Sequence, residues 1–208
     1  MRNRQATWVG LVVALGTLMG GLLLAPPASA ATCDGVAVAC AIGDTGPGGG
    51  IVFYDAGSRR AWGRYLEAAP PGWFGGSQDP MRAWCPKSAP GFEEYVRTKT
   101  TIGSGKANTT RIITACGRKT AAGLAASYRG GGKADWFLPS RDELTALHAQ
   151  ADLVGGFTDE FSVWSSSQER AKDMDTRSSA WAQSFIPSGG RGSAGKQADG
   201  WVRPIRAF

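Results

Sequence analysis

The sequence has few of the side chains from which metal centres and catalytic sites are usually built. It contains one histidine, His148, and no Cys-x-x-Cys pair, so the spacing of a zinc cluster is absent. His148 lies beside Leu144 and Leu147 at the end of a predicted amphipathic helix, where a helix-face position is a simpler interpretation than the base of a Ser-His-Asp hydrolase. We therefore expect a non-enzymatic protein with no catalytic residues, no metal site and no cofactor.

Long runs of like charge and a phosphate-binding loop are also missing. The net charge is +6, and no block of basic residues is long enough to predict a nucleic-acid-binding tail. The glycine-rich stretch Gly43–Gly50 precedes a strand rather than a helix, and no Gly-Lys-Ser/Thr follows it. We interpret it as a turn that needs glycine for its backbone conformation or for close packing.

Residues 1–30 have the pattern of a secretory signal peptide. Arg2 and Arg4 form a basic start, Trp8–Leu24 is an apolar run, and Ala28-Ser29-Ala30 provides a small-x-small cleavage site. The alternative is a retained membrane anchor, which the short, glycine-rich run and the processing site disfavour. The pattern predicts a secreted or cell-surface protein that has no membrane span after cleavage.

Four cysteines follow the predicted signal peptide, and an even number in an exported chain favours disulfides. Three pairings exist in principle. We favour Cys33–Cys40, a small loop within an N-terminal lead-in of residues 31–42, and Cys85–Cys116, which would tie a long loop to a helix. The alternative is that Cys85 and Cys116 act as catalytic thiols, which requires accessible thiolates.

The stretch from Trp136 to Glu143 predicts a strand, a stop and a helix start. Trp136–Leu138 is apolar and suits a buried strand, and Pro139 ends it because proline has no N–H for the ladder. Ser140 is a favourable N-cap, and Glu143, three residues later, completes a capping box. We interpret Trp136, Pro139, Ser140 and Glu143 as structural residues.

Hydrophobic periodicity predicts a single α+β domain over residues 43–208. Helices are expected from an Asn108 cap to Gly117 and near residues 119–128. Alternating apolar residues predict strands, one of which contains Trp164 as a structural residue. The predicted strands cover residues 51–54, 64–69, 161–167, 179–185 and 201–208. Pro204 places the last of them at a sheet edge or beside a bulge.

Aromatic and basic residues in loops are the candidates for ligand binding. Trp73 and Trp84 lie in a loop-rich segment, residues 72–105, where they either pack the loop down or stack on a sugar. Arg191 and Lys196 lie in a glycine-rich stretch, which we expect to be an exposed loop. Their charges make them candidates for binding a polyanion.

Arg203 and Arg206 lie in the last predicted strand, next to residues of buried type. One interpretation is a convergent site for a carboxylate or sulfate, which would need a bulge at Pro204. The interpretation that we favour is structural: each arginine pairs with an acid such as Asp142 or Glu143 and fixes the sheet to a helix.

Four motifs together resemble a known family. They are Gly-Asp-Thr-Gly-Pro-Gly-Gly-Gly-Ile-Val-Phe-Tyr at 43–54, Asp-Trp-Phe-Leu-Pro-Ser-Arg-Asp-Glu-Leu at 135–144, Val-Trp-Ser-Ser-Ser at 163–167 and Val-Arg-Pro-Ile-Arg-Ala-Phe at 202–208. In this order they are similar to the Lcl C-terminal domain family, the domain of unknown function at the C-terminus of the Legionella collagen-like protein. The chain has no sustained Gly-x-y repeat, so collagen-driven trimerisation is not implied.

The resemblance implies an exported or surface protein whose fold is similar to C-type-lectin-like and formylglycine-generating-enzyme-like domains. Such a fold packs helices on twisted antiparallel sheets and keeps the N- and C-terminal strands close together. By analogy we expect a secreted binding module for glycans or polyanions. The calcium-binding triplets of C-type lectins are absent. The alternatives are a structural or interaction module with no small ligand, and a thiol enzyme of the formylglycine-generating type.

The signal-peptide pattern generates the first testable prediction. Because the small-x-small site ends at Ala30, we expect exported protein to begin at Ala31. Mass spectrometry of the protein from the culture medium or the cell surface measures this directly. An exported form that still carries Met1 would contradict the prediction and favour the membrane anchor.

Overall fold

The computed structural model describes residues 32–157, 162–169, 177–186 and 189–208. The predicted signal peptide of residues 1–30 lies outside the described residues, as does Phe161, at the start of one predicted strand. The described part is a mixed α+β structure, which confirms the predicted class at this coarse level.

The strands and helices of the described residues follow each other in chain order from an N-terminal hairpin to a short C-terminal strand. The strands are β1 (Ile51–Arg60), β2 (Gly63–Ala68), β3 (Met81–Ala83), β4 (Ser162–Gln168), β5 (Ser179–Ser184), β6 (Arg191–Gly195), β7 (Asp199–Trp201) and β8 (Ile205–Ala207). The helices are α1 (Gly105–Cys116), α2 (Ala121–Ser127), α3 (Arg141–His148) and α4 (Ala151–Val154). A 3-10 turn lies at Gly130–Gly132.

The strands form two sheets. The first has the order β1-β2-β8 and is antiparallel, so the first and last strands flank the same neighbour, as expected. The second has the order β3-β7-β4-β5-β6. It departs from the antiparallel expectation at one pair, because β4 and β7 run parallel where Val163 meets Trp201.

The predicted strand at Trp136–Leu138 is reduced to one bridge, in which Phe137 exchanges both backbone hydrogen bonds with Ile205 at 2.9 Å. The ladder stops there because the Leu138 N–H donates to the Thr109 hydroxyl and Pro139 has no N–H. The alternation of a strand is nevertheless kept. Phe137 packs in the buried cluster of the three-stranded sheet and Leu138 in the cluster around α1 and the second sheet.

The predicted capping box at the start of α3 is present. The Ser140 hydroxyl accepts from the Glu143 N–H, and the Glu143 carboxylate accepts from the Ser140 N–H at 2.6 Å. Glu143 is fully buried and also accepts from the N–H groups of Gly103 and Gly105. Burial raises the pKa of Glu143, and these backbone donors partly oppose the rise.

Two of the predicted element boundaries were wrong. Asn108 does not cap α1, which begins after Ser104; it is buried in the first turns, where its amide binds the backbone N–H and C=O of Lys99. The glycine-rich stretch expected to be a loop instead contains strand β6. The predicted strand 201–208 is divided into β7 and β8 at Pro204, and β8 lies at a sheet edge, as expected.

Both favoured disulfides are present. Cys33–Cys40 closes the small N-terminal loop, and Cys85–Cys116 joins the segment after β3 to the end of α1. All four cysteines are buried. Trp136 and Trp164 are both buried, and both indole N–H groups donate to backbone carbonyls.

Arg203 and Arg206 are buried and form ion pairs, as we favoured. Their partners, however, are not Asp142 or Glu143. Arg203 pairs with Asp79 at 2.7 Å, and Arg206 pairs with Glu67 and Asp135. The expected acids are occupied elsewhere. Asp142 pairs with Arg141, and Glu143 is bound by its backbone donors.

The Arg203–Asp79 pair generates the second prediction. Both side chains are almost completely buried, so Asp79→Ala leaves a guanidinium without its counter-charge and should lower the free energy of unfolding by about 3–5 kcal/mol. Urea unfolding measures the loss. Asp55→Ala is the matched control, because it breaks the partly exposed pair with Arg64 and should cost much less. Equal losses in the two variants would contradict the importance of the buried pair.

Candidate functional site

The serine-rich strand β4 holds an irregular segment, residues 96–101, against the second sheet. The Gln168 side chain accepts from the Val96 N–H at 2.7 Å, and the Gln168 N–H donates to the Thr98 hydroxyl at 2.7 Å. The Ser167 hydroxyl donates to the Lys99 carbonyl at 2.7 Å. Hydrogen bonds through side chains of both the strand and the segment therefore take the place of a backbone ladder and fix the segment without making it a strand.

An open groove of about 450 Å³ lies on this segment. Its volume falls within the range of small-ligand sites. The groove is formed by the fixed segment with Tyr95 before it, by the start of α3, and by residues of β5 and of the end of β4 with Glu169 after it. Its lining residues are Tyr95, Thr98, Lys99, Thr100, Thr101, Arg141, Gln168, Glu169 and Trp181. We call this surface the Trp181 groove.

Arg141 is held in place on one side of the Trp181 groove. Its backbone N–H donates to the Ser167 hydroxyl, and its guanidinium binds the Asp142 carboxylate at 2.9 Å. The same guanidinium lies 5.4 Å from the centre of the Trp181 ring, within the range of a cation–π contact. The arginine and the aromatic ring therefore form one unit at the groove.

The groove combines aromatic faces with groups of both charges. Tyr95 is 37% exposed, and the Trp181 ring is half-buried, so both are accessible from solvent. Lys99 and Arg141 supply donors, and Glu169 supplies an acceptor. The Gln168 amide is already occupied, because its oxygen accepts from the Val96 N–H and its nitrogen donates to the Arg177 carbonyl. Such a surface can stack on a ring and bind an acidic group.

Two of the predicted ligand residues are not available to a ligand, which corrects the sequence analysis. Trp84 has no exposed surface, and its indole N–H donates to the Ser165 carbonyl at 2.8 Å. Lys196 is also buried, with its ammonium donating to the Glu94 carbonyl at 3.0 Å and lying 5.5 Å from the Trp84 ring centre. Each residue packs the second sheet onto the long loop.

The other two predicted ligand residues do not line the Trp181 groove. Trp73 is half-buried, with its indole N–H bound to Asp79 and its ring against Phe74 and Tyr128. Arg191 is exposed at the start of β6. The Trp181 groove is thus formed by residues that the sequence analysis did not single out as ligand candidates.

The described residues contain no group of three histidine, cysteine, aspartate or glutamate side chains placed to hold a metal ion. His148 packs against Phe185, away from the Trp181 groove. No helix in the described ranges has the length and apolar character needed to cross a membrane. Comparison with protein-family models and with curated protein sequences finds no match.

The burial of Lys196 generates the third prediction. Desolvation lowers the pKa of Lys196 to about 8, which Glu93 and Glu94 partly oppose. Between that pH and the ordinary lysine pKa, Lys196 keeps its proton in the unfolded chain but has lost it in the folded chain. The contribution of Lys196 to the free energy of unfolding therefore rises with pH over this range. In Lys196→Met this contribution is absent, so the stability of the wild type relative to the variant should increase as the pH is raised.

Urea unfolding of both proteins at about pH 7 and about pH 9.5 measures this change. Lys87→Met is the matched control, because it makes the same substitution at an exposed lysine. A constant difference between wild type and Lys196→Met at both pH values would contradict the burial of the ammonium group.

Proposed function

We propose that the chain is a non-catalytic, exported binding module that holds an acidic carbohydrate in the Trp181 groove. The observation that carries the proposal is the Arg141–Trp181 unit on an open groove of about 450 Å³. An aromatic face packs well against the C–H face of a sugar ring, and a guanidinium offers paired donors to a carboxylate or sulfate. The two contacts that an acidic sugar needs are therefore adjacent.

The geometry favours a carbohydrate over a simple inorganic anion. Tyr95 and Trp181 give the groove two accessible aromatic groups, which an inorganic anion would not use. Glu169 would repel a dense polyanion but can accept hydrogen bonds from sugar hydroxyls. A saccharide with occasional acidic groups can therefore stack on the aromatic rings, pair with the cations and hydrogen-bond to Glu169, which a uniformly charged polymer cannot do as well.

The four motifs support a place in the Lcl C-terminal domain family and, with it, a C-type-lectin-like fold and export. Each motif has a structural role: the glycine-rich loop surrounds Glu67, the Leu-Pro-Ser motif starts α3, the serine run fixes residues 96–101, and the C-terminal motif supplies the buried arginines. Two disulfides are compatible with an extracellular protein.

A second candidate is an interaction module without a small ligand. The disulfide-closed loop at Cys33–Cys40 exposes 86% of Val36 and 52% of Val38, and two exposed apolar side chains on one loop could contact a partner protein. The thiol-enzyme alternative requires free thiolates, and Cys85 and Cys116 are bonded to each other.

The fourth prediction tests the Trp181 groove. On a column of an immobilised glycan whose repeating unit carries a single carboxylate, Arg141→Gln should bind about tenfold more weakly, since a hydrogen bond to a charged group contributes about 1.5–3 kcal/mol. Trp181→Ala should also weaken binding, and should do so even in high salt, because stacking is not screened. Urea unfolding of each variant checks that the fold is kept.

The controls remove the same kinds of side chain elsewhere. Arg59→Gln deletes an exposed arginine outside the groove, and Phe74→Ala deletes an aromatic group that is 55% exposed. Both should be retained like the wild type. If all four variants elute together, the groove is not the glycan site. If the wild type is not retained by acidic or neutral glycans, the interaction module becomes the preferred function.

A further inference from the structure

A second pocket, of about 390 Å³, is lined by basic residues and contains no acidic residue among the described residues that form it. It lies between the edge strand β3 and α2, together with the turn that precedes α2. Arg82, Arg118 and Lys119 supply three positive charges, and all three are exposed. Thr120, Gly123, Leu124 and Ser127 complete the wall. We call this surface the Arg118 pocket.

The backbone positions of the pocket are fixed by covalent and polar contacts. The Cys85–Cys116 disulfide joins the chain three residues after Arg82 to the chain two residues before Arg118, with 5.4 Å between the two Cα atoms. The Arg82 carbonyl accepts from the Trp164 indole N–H at 3.1 Å. The bridge therefore brings two segments that are distant in sequence to one place and keeps their cations near each other.

The contact between α2 and the preceding turn further defines the pocket. Gly123 faces the Arg118 carbonyl so closely that a Cβ atom would clash with it. Thr120 caps α2 by accepting from the Gly123 N–H at 3.1 Å. The main chain beside Arg118 and Lys119 is thus held in place, while their side chains extend to the surface.

The charges of the Arg118 pocket are not neutralised within the described part of the chain. None of the ion pairs found there includes Arg82, Arg118 or Lys119. Three like charges at one small pocket repel each other, and a multivalent anion relieves this repulsion. In this respect the pocket differs from the Trp181 groove, where Glu169 and Asp142 accompany the cations.

We propose that the Arg118 pocket binds the phosphate monoester group of a small, sugar-sized molecule. A phosphate monoester carries nearly two negative charges at neutral pH and has three strong acceptor oxygens. Two arginines can each offer paired donors to such a group, and the lysine adds a point charge. The volume leaves room for the rest of the ligand against Leu124 and the Ser127 hydroxyl.

The test compares two esters of the same sugar by isothermal titration calorimetry. Glucose 6-phosphate at about pH 7.5 is nearly a dianion, whereas glucose 6-sulfate is a monoanion, and the extra charge should give at least about fivefold tighter binding. At about pH 5 the phosphate has gained a proton, and the two affinities should become similar. The sulfate ester does not titrate in this range, so it controls for changes in the protein.

Variants assign the binding to the pocket. The double variant Arg82→Gln, Arg118→Gln should lose the preference for phosphate, whereas the matched double variant Arg59→Gln, Arg97→Gln removes two exposed arginines elsewhere and should keep it. Arg141→Gln in the Trp181 groove should also leave the preference for phosphate unchanged. The test of the Arg118 pocket is therefore independent of the test of the proposed glycan site. Equal affinity for the two esters at both pH values, an unchanged double variant, or no binding of glucose 6-phosphate would each overturn the proposal.

Discussion

The structure depends on one buried carboxylate, that of Glu67 in the middle of the three-stranded sheet. It accepts from the N–H groups of Gly48 and Gly50 at 3.0–3.1 Å and from Arg206 at 2.8 Å. A buried charge is tolerated only when its oxygens are fully hydrogen-bonded and a counter-charge is close. The glycines are needed for this approach, because a Cβ atom at Gly48 would lie 2.7 Å from the carboxylate and from the Trp136 ring. A loop that resembles an anion-binding loop thus binds an anion of its own chain.

The same ion pair positions the proposed glycan site, although that site lies on the other sheet. The guanidinium that binds the buried carboxylate also binds Asp135 at 2.6 Å, which fixes the start of the stretch formed by residues 135–143. Two residues later Phe137 pairs with Ile205, so the stretch crosses between the two buried clusters in a defined register. The chain then reaches Arg141, whose N–H binds the Ser167 hydroxyl. A series of buried contacts that begins in the first sheet therefore helps to position Arg141, which is itself only partly buried.

Local chemistry explains which features could be predicted from the sequence. A capping box is formed by residues three positions apart, so Ser140 and Glu143 specify it almost without help from the rest of the chain. The exposure of a lysine has no such local determinant. Lys196 lies in the turn after β6, and it is buried because the long loop packs against this turn. The loop contributes the Glu94 carbonyl and the rings of Trp84 and Phe92. A glycine-rich neighbourhood indicates a turn, but it does not indicate whether the turn faces solvent.

The arginines show why the ion pairs were easier to predict than the sites. Neighbouring apolar residues indicate that Arg203 is buried, and a buried arginine needs an acid, although Asp79 lies too far away in sequence to be identified. Arg203 also donates to three backbone carbonyls, so its donors are largely used within the fold. The sequence gives only weak signals for Arg141, which directly follows an N-cap, and for Trp181, which lies in an alternating strand. Neither signal shows that the two side chains are close together, because they belong to different elements of the fold. The buried arginines therefore serve the fold, whereas the partly buried Arg141 guanidinium, paired with Asp142, lines the Trp181 groove.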